Sequence, residues 1–236
     1  MQVYSTTHRG MVRPTNQDTL LIRNNLYGVA DGMGGHLGGE TASKLAMQVI
    51  DNMLSNKSPS ETILRIGMEA ANRRVFERQK YDSTLRGMGT TLTLLWVGDE
   101  LVFIAHVGDS RAYLLRDGKL TCMTDDHSVV GEMLRNNALT PAEAKAHPYR
   151  NVITRAIGTN PVVEVDLTKE EKKPGDVWLV CSDGLFNKLE DSEIEDIILH
   201  TKEEETIKKL LELTLERGAE DNVSILLCYV SEGPQA

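Results

Sequence analysis

The chain has 236 residues, of which 40% are hydrophobic and 26% charged, and its net charge is −9. This is the composition of a globular protein, and the acidic balance excludes the basic face that nucleic-acid binding needs. No apolar run reaches the roughly 18 residues of a membrane-spanning helix, and the N-terminus lacks the basic and apolar regions of a signal peptide. We therefore expect a cytoplasmic protein that inserts into no membrane.

The N-terminal part predicts strands followed by a helix pair. Three segments have strand character, with a turn at Asn24-Asn25 between the second and third: 2–7, 19–23 and 26–31. Apolar residues at the helical period predict a first helix over 40–53. Ser58-Pro59-Ser60-Glu61 matches a capping box with proline at the first helical position, which predicts a second helix from 58 to about 78.

The middle of the chain is rich in strand formers and turn signals. Four strands are predicted to form one antiparallel meander: 89–97, 101–107, 111–116 and 119–124. Residues 127–147 are polar and helical, with a capping box at Thr140 and Glu143, and predict a mobile surface insertion. Short strands are predicted at 152–157 and 162–167, and the charge run 169–173 predicts a solvated turn.

The C-terminal part predicts a strand, two helices and a final strand. Their ranges are 176–181, 191–200, 202–217 and 223–230, with a capping box at Thr201 and Glu204. Antiparallel strand runs with segregated helix pairs favour two packed sheets with helices on both outer sides. The predicted fold class is therefore α+β, a four-layer α/β/β/α sandwich.

A cluster of glycines follows the first buried strand. The strand over 26–30 ends on Asp31, and five glycines occur within the next eight positions. A carboxylate at a strand end beside an unobstructed backbone carbonyl suits a hard cation such as Mg²⁺ or Mn²⁺. Glycines also allow tight turns, so this stretch alone leaves a purely structural loop open.

Four aspartates occupy the same kind of position, at the end or the start of a strand: Asp31, Asp126, Asp183 and Asp221. One such aspartate is usually a turn residue, but four favour a site of several carboxylates. Oxygen ligands without paired histidines or thiolates indicate Mg²⁺ or Mn²⁺ rather than zinc. Two such ions can activate a shared water for phosphoester hydrolysis, and Arg13 is the candidate to clamp the phosphate.

The ordered motifs resemble a known family. They are Arg13-x-x-Asn16-Gln17-Asp18, Asp31-Gly32-Met33-Gly34-Gly35-His36, Gly89-Thr90-Thr91, Gly108-Asp109-Ser110-Arg111, Asp126-His127, Ser182-Asp183-Gly184 and Asp221-Asn222. The chain is similar to metal-dependent protein phosphatases, in particular the bacterial branch of the type-2C (PPM) serine/threonine phosphatases. The resemblance runs from the N-terminus to residue 230 and implies one phosphatase domain over 1–236, with a flap-like insertion at about 127–150.

The resemblance also implies a set of metal ligands for Mn²⁺ or Mg²⁺. Asp31 would bridge two ions, the Gly32 carbonyl would bind one of them, and Asp183 and Asp221 would complete the pair. Asp126 together with Asp183 would hold a weaker third ion.

Further roles follow from the same resemblance. Asp18 would act through water, and Arg13 would bind the substrate phosphate. Asp109 and Arg111 match a family motif but are expected to be structural. Met33 stands where animal members have histidine, so either His36 or a metal-bound water would protonate the leaving oxygen.

The expected activity is hydrolysis of phosphoserine and phosphothreonine on proteins by metal-activated water, opposing a bacterial Ser/Thr kinase. No cysteine fits a thiol-based phosphatase, and Leu37 breaks a glycine-rich nucleotide loop. The alternative is a pseudophosphatase that binds phosphoproteins without turnover, although every expected acidic position is filled. The expected partners are phosphorylated proteins and a cognate kinase, and a monomer is expected.

Overall fold

Two five-stranded antiparallel sheets dominate the computed structural model, which describes residues 1–35 and 37–231. The strands are β1 Gln2–His8, β2 Thr19–Arg23, β3 Leu26–Ala30, β4 Gly32–Met33, β5 Gly89–Thr90, β6 Leu92–Val97, β7 Leu101–Val107, β8 Arg111–Arg116, β9 Lys119–Cys122, β10 Asp166–Glu171, β11 Val177–Cys181 and β12 Val223–Tyr229. The first sheet has the order β1-β12-β11-β8-β9 and the second β10-β7-β6-β3-β2, while β4 and β5 form a separate short pair.

The helices in the described part of the chain are α1 Gly38–Leu54, α2 Glu61–Tyr81, α3 Val129–Arg135, α4 Pro141–Ala146, α5 Asp183–Phe186, α6 Asp191–His200 and α7 Glu203–Glu216, with a 3₁₀ turn at Ser83–Leu85. Five of these seven helices, all except α3 and α4, pack on the outer faces of the sheets. Among the described residues, no helix combines the length and apolar character needed to cross a membrane.

Three apolar clusters hold these layers together. One joins α1 and α2 to the second sheet, and another joins α5, α6 and α7 to the first sheet. The third lies between the two sheets and includes Tyr27, Ile104, Trp178 and Leu226. The order of layers is helix, sheet, sheet, helix, which confirms the predicted α+β class.

The predicted four-stranded meander is wrong. β6 and β7 pair in the second sheet, whereas β8 and β9 pair in the first. The chain crosses between the sheets at Gly108, whose φ of +115° is a conformation that residues with a side chain rarely adopt. Alternating apolar residues identified each strand, but they do not specify which sheet a strand joins.

Other strand boundaries also differ from the prediction. The predicted strand 89–97 is divided at Thr91 into β5 and β6. The segment 152–157 contributes only isolated bridges at Ile153 and Ile157, and the segment 162–167 overlaps β10 only at its last two residues. The charge run predicted as a solvated turn lies partly within β10, which pairs with β7. β10 is an edge strand, where charged side chains can remain in solvent and discourage pairing with other chains.

Two of the three predicted capping boxes are wrong. α2 begins at Glu61 with Ser60 as its N-cap, and α7 begins at Glu203 without a side-chain cap. The box at Thr140 and Glu143 is confirmed. The short helix α5 was not predicted, because four residues are too few to show a helical period.

Truncation in the layer between the sheets tests the importance of that core. Leu226 lies in β12 and is fully buried in the third cluster. We expect Leu226→Ala to lower the free energy of unfolding by about 2–5 kcal/mol, because the lost methyl groups leave a cavity. Urea denaturation would measure it. The control Leu199→Ala, at a side chain 44% exposed, should change stability much less, and equal losses would contradict this account of the core.

Candidate active site

Strand ends from both sheets place acidic side chains at one edge of the sandwich. Asp31 directly follows β3 of the second sheet. Its carbonyl oxygen accepts bonds of 2.8 Å from Thr91 N and from Thr90 Oγ1, and its own N–H donates to Thr91 Oγ1 at 2.9 Å. The Gly89-Thr90-Thr91 motif therefore fixes the backbone that carries Asp31.

Gly32 lies where a side chain would not fit. A Cβ atom there would stand 2.1 Å from the carbonyl oxygen of Gly39 and 2.6 Å from that of Gln17. Gly39 is equally restricted, because its Cβ would stand 2.5 Å from the carbonyl oxygen of Gly32. The two glycines allow the start of α1 to pack directly against the backbone that follows Asp31.

Asp183 is the first residue of α5, directly after β11 and Ser182. One carboxylate oxygen accepts a bond of 3.0 Å from Asn187 Nδ2. The other is buried and has no hydrogen-bond partner among the described residues. Gly184 lets this turn pack against β12, because a Cβ there would stand 2.0 Å from the carbonyl oxygen of Asn222.

Asn222 holds the loop that carries Arg13, a role that the sequence did not reveal. Its Oδ1 accepts from the N–H of Gln17, and its Nδ2 donates to the carbonyl oxygens of Arg9 and Thr15. These three bonds fix the loop 9–17 against the start of β12. The loop carries Arg13, so Asn222 determines where that guanidinium lies.

Arg13 reaches the carboxylates from this loop. Its Nη2 donates to Oδ2 of Asp221 at 2.6 Å, while Oδ1 of Asp221 accepts from the N–H of Asn222. The bond to Asp221 raises the pKa of Arg13. Half of the Arg13 side chain is exposed to solvent, so the guanidinium is accessible from the cleft.

Asp18 is buried beneath these groups. Its Oδ2 accepts from Ser182 Oγ at 2.8 Å, and its Oδ1 has no hydrogen-bond partner among the described residues. Burial, only partly offset by hydrogen bonds, raises the pKa of Asp18 to about 6. Asp18 thus links the strand-end turn at Ser182 to the loop that precedes β2.

The carboxylates repel one another. Burial, followed by the charges of Asp18 and Asp183, raises the pKa of Asp31 well above its ordinary value. Burial, followed by the charges of Asp109 and Asp221, does the same for Asp183. Like charges in a region of low polarity favour a nearby cation.

Asp109 belongs to this group, although the sequence suggested only a structural role. It follows Gly108 at the crossing between the sheets and is 8% exposed. Burial, followed by the charge of Asp126, raises the pKa of Asp109 to about 7. The missed signal was its position just after the strand β7, since a position at the end or the start of a strand is what singled out the other aspartates.

Asp126 has a different environment. Both of its carboxylate oxygens accept from Arg111, at 2.8 and 2.7 Å, and the Arg111 guanidinium stacks on the Phe186 ring at 3.8 Å. A bidentate pair of this kind is among the strong hydrogen-bonded contacts in proteins. The structure therefore engages Asp126 with arginine, apart from the buried oxygens of Asp18 and Asp183.

The donor chemistry fits divalent cations. Buried carboxylate oxygens without a donor are costly, and Mg²⁺ or Mn²⁺ would supply the missing partner for the orphaned oxygens of Asp18 and Asp183. Across residues 1–35 and 37–231, no three acidic, histidine or cysteine side chains form a closed metal-binding group. The carboxylates lie within electrostatic reach of one another rather than in a completed ligand shell.

A cleft of about 1250 Å³ opens above these groups. Asp183 and Asp221 line it together with Arg13 from the N-terminal loop and Leu134 from α3. His36, the predicted general acid, lies outside the described residues.

Comparison with known proteins places the chain in a family. A model described as Protein phosphatase 2C matches residues 8–226. The serine/threonine protein phosphatase PstP of Mycobacterium tuberculosis is 36% identical over 94% of this chain and 43% of PstP, so the chain spans less than half of that relative. The serine/threonine phosphatase stp of Listeria monocytogenes is 35% identical over 94% of this chain and 92% of stp.

A solved structure shows the same architecture. The catalytic domain of PstP, in complex with two manganese ions, is 34% identical and superimposes with a TM-score of 0.90, covering 98% of each chain. The matched residues include every motif described above. The chain therefore belongs to the protein phosphatase 2C family.

Proposed function

We propose that this chain is a metal-dependent protein serine/threonine phosphatase. The observation that carries the proposal is the group of buried carboxylates with orphaned oxygens beside the accessible guanidinium of Arg13. Membership of the family and the manganese-bound structure of PstP support it. The substrates would be phosphoserine and phosphothreonine in proteins.

The chain would hold two divalent ions at a binuclear centre. Asp31, the Gly32 carbonyl, Asp183 and Asp221 would supply the ligands, and Asp18 would orient the centre through water. Mn²⁺ or Mg²⁺ bound there would activate a water molecule and neutralise charge on the phosphoryl group.

Arg13 would grip the phosphoryl oxygens. A planar guanidinium can offer two parallel N–H donors to a phosphate, which a lysine cannot. The bond to Asp221 aims Arg13 toward the carboxylates. His36 is proposed to protonate the leaving oxygen, with water as the alternative donor.

A third ion would have a different ligand from the one suggested by sequence. Asp126 gives both oxygens to Arg111, whereas Asp109 lines the cleft and interacts electrostatically with Asp183. We therefore propose Asp109 together with Asp183, in place of Asp126, as the carboxylates for a weaker third ion.

The biological setting is proposed from the same activity. A cognate Ser/Thr kinase in the cytoplasm would supply the phosphorylated proteins, and the segment 127–150 would form a flap beside the cleft of one phosphatase domain. The alternative, a pseudophosphatase, would bind phosphoproteins at the same cleft without hydrolysing them. Turnover assays separate the two.

Removal of divalent ions tests the role of the carboxylates. Because the proposed ligands are all oxygen donors, EDTA should abolish hydrolysis of p-nitrophenyl phosphate, and added Mn²⁺ should restore it. Absorbance at the nitrophenolate wavelength measures the rate. Hydrolysis that continued in EDTA would contradict the mechanism, and no hydrolysis with excess Mn²⁺ would favour the pseudophosphatase.

The substitution Asp183→Asn separates activity from stability. The pKa of Asp183 is raised in the folded protein. Ionisation of Asp183 therefore opposes folding above its unfolded-state pKa, and the loss of stability increases as the pH rises toward the folded-state pKa. We expect Asp183→Asn to lower turnover by more than about 100-fold, which exceeds the usual effect of removing a residue that only contacts a metal ligand. In EDTA at pH 7 the melting temperature should rise.

Calorimetry and steady-state kinetics would measure both effects. Asp99→Asn, on the exposed turn between β6 and β7, is the matched control and should change neither quantity. A wild-type rate for Asp183→Asn would remove this residue from the centre.

The substitution Arg13→Ala tests the phosphate clamp. We expect mainly a higher KM for a phosphothreonine peptide, because Arg13 would bind the phosphoryl group in the ground state and in the transition state alike. Loss of a charge-assisted hydrogen bond predicts a decrease in kcat/KM of roughly 10-fold to 100-fold. Arg23→Ala, at a side chain 64% exposed and remote from the cleft, is the control, and an unchanged KM for Arg13→Ala would assign the clamp elsewhere.

A further inference from the structure

A buried histidine lies where the crossing between the sheets meets the base of the flap segment. His127 is 2% exposed, and its ring stacks on that of His106 with centroids 4.7 Å apart. The proposed reaction gives it no role. Its two ring nitrogens contact different segments beside the cleft, one of them the turn that carries Asp109.

The first nitrogen binds the turn that carries Asp109. The N–H of Gly108 donates to His127 Nδ1 at 3.0 Å, and the N–H of His127 donates to the Gly108 carbonyl at 2.7 Å. A backbone N–H can only donate, so Nδ1 is the acceptor and the ring proton lies on Nε2. Gly108 is thus held on both sides, directly before Asp109.

The second nitrogen binds the edge strand β10, which follows the flap segment 127–150. His127 Nε2 donates to Asp166 Oδ2 at 3.0 Å, and Asp166 Oδ1 accepts from Arg155 Nη1 at 2.5 Å. The N–H of Thr154 donates to the His127 carbonyl at 2.8 Å. The entry and the exit of the segment 127–150 are therefore joined through one residue and the edge strand β10.

Charge in this network agrees with a neutral ring. Burial lowers the pKa of His127, and the Arg155 guanidinium beside Nε2 disfavours a second positive charge. The carboxylate of Asp166 balances Arg155 and faces both groups. A neutral ring with a fixed tautomer offers one acceptor, Nδ1, to Gly108 and one donor, Nε2, to Asp166, while Arg155 Nη1 also lies 3.0 Å from Nε2.

We propose that His127 is a positioning residue that fixes two walls of the cleft independently: the Asp109 turn through Nδ1, and the base of the flap through Nε2. This inference adds a residue to the proposed phosphatase site, and only its predicted effects on kcat and KM rest on that proposed function. The predicted positioning of the two segments depends only on the hydrogen bonds of His127.

Two substitutions separate the two nitrogens. In His127→Asn the side-chain oxygen can replace Nδ1 as the acceptor for Gly108, but the chain is too short to reach Asp166. In His127→Gln the amide nitrogen can replace Nε2 as the donor to Asp166, with no acceptor left for Gly108. His106→Gln, in the neighbouring ring, is the matched control for loss of a buried imidazole.

Amide hydrogen exchange on the full chain, followed by mass spectrometry, would read each contact without any assay of activity. His127→Gln should accelerate exchange at 108–110 by roughly tenfold and leave 129–154 unchanged, because one hydrogen bond is lost locally. His127→Asn should do the reverse. Asp166→Ala, at a side chain 40% exposed, should reproduce the His127→Asn pattern. Because this position is not buried, the variant still tests the proposal if the His127 variants fail to fold.

Kinetics would then connect each contact to turnover. His127→Gln should mainly lower kcat for p-nitrophenyl phosphate, and His127→Asn should mainly raise KM for a phosphothreonine peptide. The proposal would be overturned if each variant accelerated exchange in both segments, or if neither variant accelerated it in either segment. It would also be overturned if His127→Gln affected 129–154 and His127→Asn affected 108–110. A wild-type chain without turnover would refute the proposed function while the exchange pattern still decided the role of His127.

Discussion

Repulsion between buried carboxylates is the constraint on which this structure depends. Asp18 and Asp109 are buried and Asp31 and Asp183 are half-buried, and removal from water together with the charges of neighbouring carboxylates raises the pKa of each. Such a group opposes folding, so the rest of the protein has to hold it in place. The three apolar clusters, which bind the helices to the sheets and the sheets to each other, supply that stabilisation. Unfavourable charge of this kind is expected at a site that binds cations.

The rigidity comes from backbone packing at glycines and from one asparagine. Gly32 and Gly184 each lie against a carbonyl oxygen at a distance that excludes a side chain. Asn222 fixes the loop of Arg13 by three bonds to backbone groups. Strand-end carboxylates are therefore held by contacts between elements from distant parts of the chain, a requirement that explains why the motifs are spread over two hundred positions.

The sequence predicted the elements better than their partners. The strand over 26–30 was found because it is a short continuous apolar run, and the helix over 40–53 because its apolar residues have the helical period. The sheet crossing at Gly108 was missed, since a glycine-containing turn is compatible with a hairpin and with a crossing alike. The same error hid Asp109, because a residue within a meander has no reason to face the other aspartates. Asn222 was noted only as part of the Asp221-Asn222 motif, since its bonds depend on tertiary contacts that no local pattern encodes.

The crossing at Gly108 also explains why two arginine pairs lie near the site. Once β8 joins the first sheet, Arg111 at its start faces Asp126 and forms a bidentate pair, which neutralises a carboxylate next to the segment 127–150. Arg13 contacts a different carboxylate, Asp221, through one nitrogen and remains half exposed. Arg111 donates to both oxygens of Asp126 and to Tyr113 and stacks on Phe186, whereas Arg13 makes one bond and is more exposed. The difference in engagement therefore assigns a structural role to Arg111 and leaves Arg13 as the arginine able to meet a phosphoryl group.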